Sequence, residues 1–475
     1  MDADPDPHYL IGDCLIYIFT FLSEEDLISA SSVCKDWHAA GETPWLWRRL
    51  CLQRWSFCNL TVLGSERVKH SWKRYFLRRS HLELSMRKGQ SGGYSCKSLR
   101  GHTGRVVGLL YLQRNPAQHP DLWDSRATVC SASSDGTVRA WNVHESELLW
   151  CSPAQNPLTA IVSDEERAVV ITADSTGLVQ TWQGQTGQNL ASFSTGSSRC
   201  TLLQYNVDSD WFLTVGTGQG SLWTLAGSSL NKASSLVLWD TFEVNILLVS
   251  PDKKWVMAGT KDNNDSSPKV ISTASLTSPP EDADALCEWL PVTGSQAAVF
   301  VPHQPARLAV LHCSEHSQHK AVTVLDVSVR KTKYKSEIQV QQVASFPLTL
   351  GPWSPRILLQ ANAGNLVLAA EQELCVYSLQ GALLASFREH TMPIASICVD
   401  SFRVVTASQD LSLRVLTWRN DRDRGLSLES RYHLLGGSHS MSRGFTHVAC
   451  DYSSIVASVE GKDGKDVLKA YSFTC

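Results

Sequence analysis

The 475-residue sequence predicts two architectures in series, a small all-α head with a helical connector and then a long all-β repeat array. Three observations carry that expectation. Between Leu10 and Trp55 apolar residues recur at helical spacing, and three helix-start signals follow one another. From about Arg87 onward the helix signals stop, and short β-branched runs alternate with Gly, Ser and Thr turn clusters. Those runs repeat, with Trp141 and Trp182 closing successive units forty-one residues apart. The expected division is 8–55 for the head, 56–86 for the connector and 87–475 for the array.

In the head, Leu15, Ile18, Phe19 and Leu22 form the i, i+3, i+4, i+7 set of an amphipathic helix, with Asp13 at its positive end. Ser23 and Asp26 then read as a capping box ahead of Leu27. Cys34 to Trp37 continue the helical character. Thr43 followed by Pro44 gives the third start, leading into Trp45, Trp47, Leu50 and Trp55. So few residues bury only a small core. The surplus apolar surface, with three tryptophans inside eleven positions, requires a partner or a neighbouring domain. The connector, Gly64 to Met86, reads as one helix with Val68, Trp72, Tyr75 or Phe76, and Leu82 on one side. Its six Lys or Arg between Arg67 and Arg79 read as a solvated face around that stripe rather than as a nucleic-acid site.

Composition narrows the function classes. A formal net charge of -3 gives no pull toward nucleic acid or anionic membrane. No run of about 18 apolar residues is present, so no membrane partner is expected. The opening MDADPDPHYL is acidic and proline-broken, unlike a secretory signal. The 14 cysteines are scattered without a CxxC pair, which points to reduced thiols in the cytoplasm and/or nucleus and to no zinc, other metal or cofactor. HExxH and P-loop patterns are missing, and the loop from Asp262 to Asp265 lacks the ligand order of an EF-hand, so the chain reads as non-catalytic.

The array divides into eight units. The first opens at Gly101-His102, runs through Val106 to Leu110 and Thr128 to Ser133, turns at Ser134-Asp135-Gly136 and ends at Thr137 to Trp141. The second ends at Trp182 and the third near Leu225. Weaker units follow at about Leu236 to Leu276, Leu286 to Val329 and Ile338 to Leu379. The pattern recovers from Glu389-His390 to Leu416, and a last unit reaches Phe473.

The GH start, the S-x-S-x-D-G turn and the closing tryptophan resemble the WD repeat. That resemblance implies a β-propeller of seven or eight four-stranded blades, eight being the better fit. It also implies that His102, Ser131, Asp135 and Trp141 form a structural hydrogen-bonded set. A ring of blades needs closing, and the segment near Cys96 to Leu99 is placed to supply the outer strand of the final blade.

The opening stretch resembles an F-box at Leu10, Asp13, Leu15, Ile18, Phe19, Leu22, Asp26-Leu27, Val33-Cys34-Lys35, Trp37, Leu46-Trp47 and Leu50. Ile11 stands where that family usually has proline. An F-box, a connector helix and WD repeats together resemble the F-box/WD-repeat family over nearly the whole chain. The family implies a substrate receptor of an SCF-type ubiquitin ligase. Its partners are a Skp-type adaptor, a cullin scaffold and RING protein reached through that adaptor, and a protein target held on the propeller. The residues this assigns to adaptor docking are Leu10, Leu15, Ile18, Phe19, Leu22, Leu27, Val33 and Trp37. A scaffold whose F-box no longer engages a ligase is the alternative.

Phosphodegron-reading members of the family carry arginines just after the first-strand valine and just before the turn aspartate. The corresponding residues here are Val107 and Ser134, Thr159 and Ser175, Ala395 and Gln409, with Lys261 in the fourth unit. None is arginine, so target recognition is expected to work without a clustered-arginine phosphate pocket.

Overall fold

A computed structural model describes residues 12–54, 72–88, 93–112, 127–164, 167–239, 242–278, 285–313, 320–331, 336–348, 356–362, 364–400, 403–421, 425–437, 440–451 and 453–473. The head holds four helices, α1 (Gly12–Phe19), α2 (Glu24–Ala30), α3 (Lys35–Gly41) and α4 (Pro44–Arg54). The start signals act as the sequence predicts. The Ser23 hydroxyl accepts from the Asp26 backbone N–H at 3.2 Å and donates to the Asp26 carboxylate at 2.7 Å, which closes the first turn of α2. Proline at the first position opens α4.

Leu15, Phe19, Leu27, Leu46, Trp47 and Cys51 turn inward and form the core of the head. Trp47 is wholly buried, and its indole N–H donates to the Gly41 carbonyl at 2.7 Å. Helix α5 (Trp72–Lys88) caps this core with Tyr75 and Phe76, the Phe76 ring lying 5.6 Å from Trp47. Of the stripe expected on the connector, Val68 and the Leu82 side chain lie outside what is described. The same apolar cluster continues into the last two blades through Val405, Leu413, Phe445, Ile455 and Tyr471. Helix α5 packs on the propeller at strands Gly425–Leu435 and Val467–Phe473. Head and propeller therefore share one core.

The propeller has eight sheets, each of four antiparallel strands. Their innermost strands are Val106–Leu112, Leu158–Asp164, Cys200–Val207, Ile246–Val249, Ser295–Phe300, Ile357–Asn362, Ile394–Val399 and Ser442–Cys450, taken as blades 1 to 8. The second strands are the most buried, as Thr128–Ser133, Val169–Asp174 and Arg403–Ser408 show by having no exposed residue. Closure follows the sequence expectation. Tyr94–Leu99 pairs with Val467–Phe473, from Tyr94 opposite Phe473 to Leu99 opposite Leu468, so the first strand of the array completes the last blade.

The repeat units of the sequence are staggered against the sheets. Strand Cys287–Trp289, near the start of the fifth unit, is the outer strand of blade 4, and Ser336–Pro347, which holds the start of the sixth, belongs to blade 5. Helix signals were expected to be absent beyond Arg87, yet a short helix α6 (Thr273–Thr277) follows the third strand of blade 4. The Thr273 N–H and hydroxyl bond the carbonyls of Lys254 and Lys253, which bends the chain out of extended form there.

Candidate functional site

Within blade 1 the structure brings His102, Ser131, Asp135 and Trp141 together. The imidazole bonds the Ser131 hydroxyl at 2.8 Å and the Asp135 carboxylate at 3.1 Å, and the Trp141 indole donates to the same hydroxyl at 3.0 Å. Asp135 also accepts from Thr103 N at 2.8 Å and from Thr137 N and Oγ1 at 2.9 and 2.6 Å. Burial pushes this carboxyl up, but the hydrogen bonds from His102, Thr137 and Thr103 outweigh it and hold the group well below the usual carboxylate range. Blade 7 repeats the arrangement with His390, Thr406 and Asp410, where His390 meets Thr406 at 2.7 Å and Asp410 at 2.9 Å. The members of each set are bonded to one another, which ties the lead-in, second strand and turn of their blade together.

On the head, the residues assigned to adaptor docking divide. Leu15, Phe19 and Leu27 are core residues, and Leu22 and Trp37 are half-buried against that core. Ile18 and Val33 are exposed, Val33 to 63%. Leu10, with Ile11 beside it, lies outside the described residues. Sequence reasoning missed a second set. Tyr17 and Phe21 are 67% and 72% exposed and meet edge to face at 5.3 Å, while Ile28, Trp45 and Leu52 are also exposed. The signal was present in the i, i+4 spacing of Tyr17, on the side of α1 away from Leu15 and Phe19, and Phe21 in the turn that follows the helix. Trp45 and Leu52 line a cavity of about 310 Å³ with Arg48, Arg49 and Gln53, and Arg49 is fixed by its bond to the Thr20 carbonyl at 2.7 Å. Isolated exposed apolar residues are ordinary, but this many aromatic and aliphatic side chains exposed on four short helices are more than the core of the head uses.

A second surface lies on one face of the propeller, where the lead-in to each first strand meets the turn between second and third strands. A recurrent backbone bond joins the two, from Ser134 N to Arg105 O, Ser175 N to Pro157 O, Gly218 N to Arg199 O and Gln409 N to Pro393 O, at 2.8 to 3.1 Å. The aligned positions therefore do share a face. Thr159, Lys261 and Gln409 are exposed there, and Val107, Ser134, Ser175 and Ala395 are half-buried. Ser134 is committed locally, since its hydroxyl accepts from Arg105 N at 2.8 Å.

Arginines reach this face from positions that the repeat alignment does not examine. Ala395 and Gln409 line a cavity of about 330 Å³ together with Arg356, Arg443, Thr446, His447 and Glu460. Glu460 bridges Arg443 at 3.3 Å and Arg105 at 3.1 Å. Partial desolvation of the Lys261 ammonium on this face lowers its pKa, and the positive charge of Arg356 lowers it further against the opposing pull of Asp262. Burial and then Arg356 likewise lower that of His447. A separate cavity of about 280 Å³ holds Arg199, which is neutralised by Glu243 at 3.0 Å. Among the described residues no group of three or more His, Cys, Asp or Glu could hold a metal ion, and no helix is long and apolar enough to cross a membrane.

A sequence model of the F-box-like family matches residues 13–53, the four-helix head. Two relatives align along nearly their whole length. Human F-box/WD repeat-containing protein 12 is 28% identical over 461 residues, covering 96% of this chain and 97% of the relative. Mouse F-box/WD repeat-containing protein 15 is 23% identical over 467 residues, with the same coverage. Among solved structures, the computationally designed Ika8 protein superimposes with a TM-score of 0.57 at 18% identity, covering 79% of this chain and 98% of its own, a likeness of fold.

Proposed function

Because the chain belongs to the F-box/WD-repeat family, we propose that it is the substrate-recognition subunit of an SCF-type ubiquitin ligase. The observation that carries this reading is the exposed apolar set on the head, Tyr17, Ile18, Phe21, Ile28 and Val33, on a domain whose own core is already complete. Burying such side chains against a Skp-type adaptor stabilises the complex by roughly 25 cal/mol per Å² of apolar surface removed from water. Cullin and RING protein follow through the adaptor, and a protein target occupies the propeller. The receptor forms no bond itself. Its contribution is proximity, since a target held on a rigid arm presents its lysines to the charged conjugating enzyme at high effective concentration. The core shared by head and propeller makes that arm stiff.

Of the sequence-assigned set, Ile18 and Val33 belong to the docking surface in this reading, while Leu15, Phe19 and Leu27 support it from beneath. The test is proximity labelling in cells with the proteasome blocked, comparing the intact chain with Tyr17→Asp plus Phe21→Asp. The ligase reading expects adaptor and cullin labelling to disappear in the double variant while propeller-dependent neighbours persist. Identical labelling in both would favour a scaffold without a ligase role.

A further inference from the structure

Two arginines, Arg356 and Arg443, line the cavity beside Ala395 and Gln409, and they are not equally matched. Arg443 and Arg105 share Glu460. Arg356, at the lead-in to blade 6, makes no hydrogen bond or ion pair among the described residues, and Arg443 and His447 share the cavity wall with it. An exposed guanidinium set against other cations is unfavourable until an anion joins it. The cavity, at about 330 Å³, sits at the small end of ligand pockets and holds one or two side chains rather than a cofactor.

We propose that this cavity binds a carboxylate of an acidic peptide segment, gripped by Arg356. The assignment deepens the receptor reading, on which it rests only for calling the bound segment part of a degradation target. Carboxylate is favoured over phosphate by what surrounds the open guanidinium. Only one arginine fork is unoccupied, and Glu460 in the cavity wall repels a dianion more than a monoanion. Arg356 is also outside the positions where phosphodegron-reading members carry their arginines.

Fluorescence anisotropy on the full chain tests this with three labelled Gly/Ser peptides of equal length, carrying Glu-Glu, Gln-Gln or two phosphoserines at the centre. The Glu-Glu peptide is expected to bind at least about tenfold more tightly than Gln-Gln, and to weaken as salt rises. Arg356→Gln should lose about tenfold. Arg388→Gln, an exposed cation just past the outer strand of blade 6, should change nothing. Equal binding of Glu-Glu and Gln-Gln, or no effect of Arg356→Gln, overturns the site. A phosphoserine peptide binding more than about tenfold tighter than Glu-Glu overturns the carboxylate assignment. Adaptor capture measured in parallel separates the two readings. Its failure in wild type would sink the ligase role and leave a positive peptide result standing.

Discussion

Asp135→Ala is the sharpest probe of how the propeller is held. The substitution deletes four hydrogen bonds, those from His102, Thr103 N, Thr137 N and Thr137 Oγ1. It also leaves the buried His102 ring without one of its partners. Unsatisfied buried donors cost about 1–3 kcal/mol each and charged hydrogen bonds somewhat more, so with partial relaxation the loss is about 3–5 kcal/mol. With an unfolding entropy near 2.1 cal/mol/K per residue over roughly 380 propeller residues, the thermal midpoint should fall by about 4–6 °C. Differential scanning calorimetry reads this directly. Asp135→Asn, which keeps one acceptor, should fall between. A midpoint for Asp135→Ala within about 1 °C of wild type would refute the claim that this set ties blade 1 together.

The same carboxylates set the acid limit. Asp135 and Asp410 have folded pKa values depressed below the unfolded value of about 3.9, so their stabilisation is complete above that value and is lost as pH falls through the folded ones. Wild type should therefore lose stability more steeply between about pH 4 and pH 2 than Asp135→Asn, as followed by tryptophan fluorescence. Leu99→Asp places a charge at a buried point of the closing strand and should lower the midpoint while increasing aggregation through the freed edge, visible by light scattering. Thiol labelling at pH 8 should reach the exposed Cys14, Cys34 and Cys151 first, because burial pushes Cys51 up to about 12 and Cys375 up to about 11.

Much of the fold was legible because its signals are local. Ser23 with Asp26, and Thr43 with Pro44, mark helix starts by chemistry that acts within a few residues. His102, Asp135 and Trp141 mark a blade because strand lengths fix their spacing. Blade count and ring closure followed from repetition and from the need to cover an edge. The site was less legible. Periodicity identified Leu15 and Phe19 as apolar, but an apolar stripe serves the core of so small a head before any partner. The outward aromatics Tyr17 and Phe21 were hidden by that stripe. Arg356 and Arg443 escaped because alignment by repeat examines fixed places in each unit, whereas these residues come from lead-ins and first strands of blades whose repeats are degraded. Their proximity is a property of the closed ring, with Arg356 and His447 drawn together from blades 6 and 8.

Titration of a purified Skp-type adaptor into the full chain by isothermal calorimetry addresses the central claim most directly. The account predicts one-to-one binding by wild type. In Tyr17→Asp plus Phe21→Asp, both exposed and outside the core, it predicts at least about a hundredfold loss with an unchanged thermal midpoint. A folded wild-type chain that binds no adaptor, or a double variant that binds as well as wild type, would contradict it.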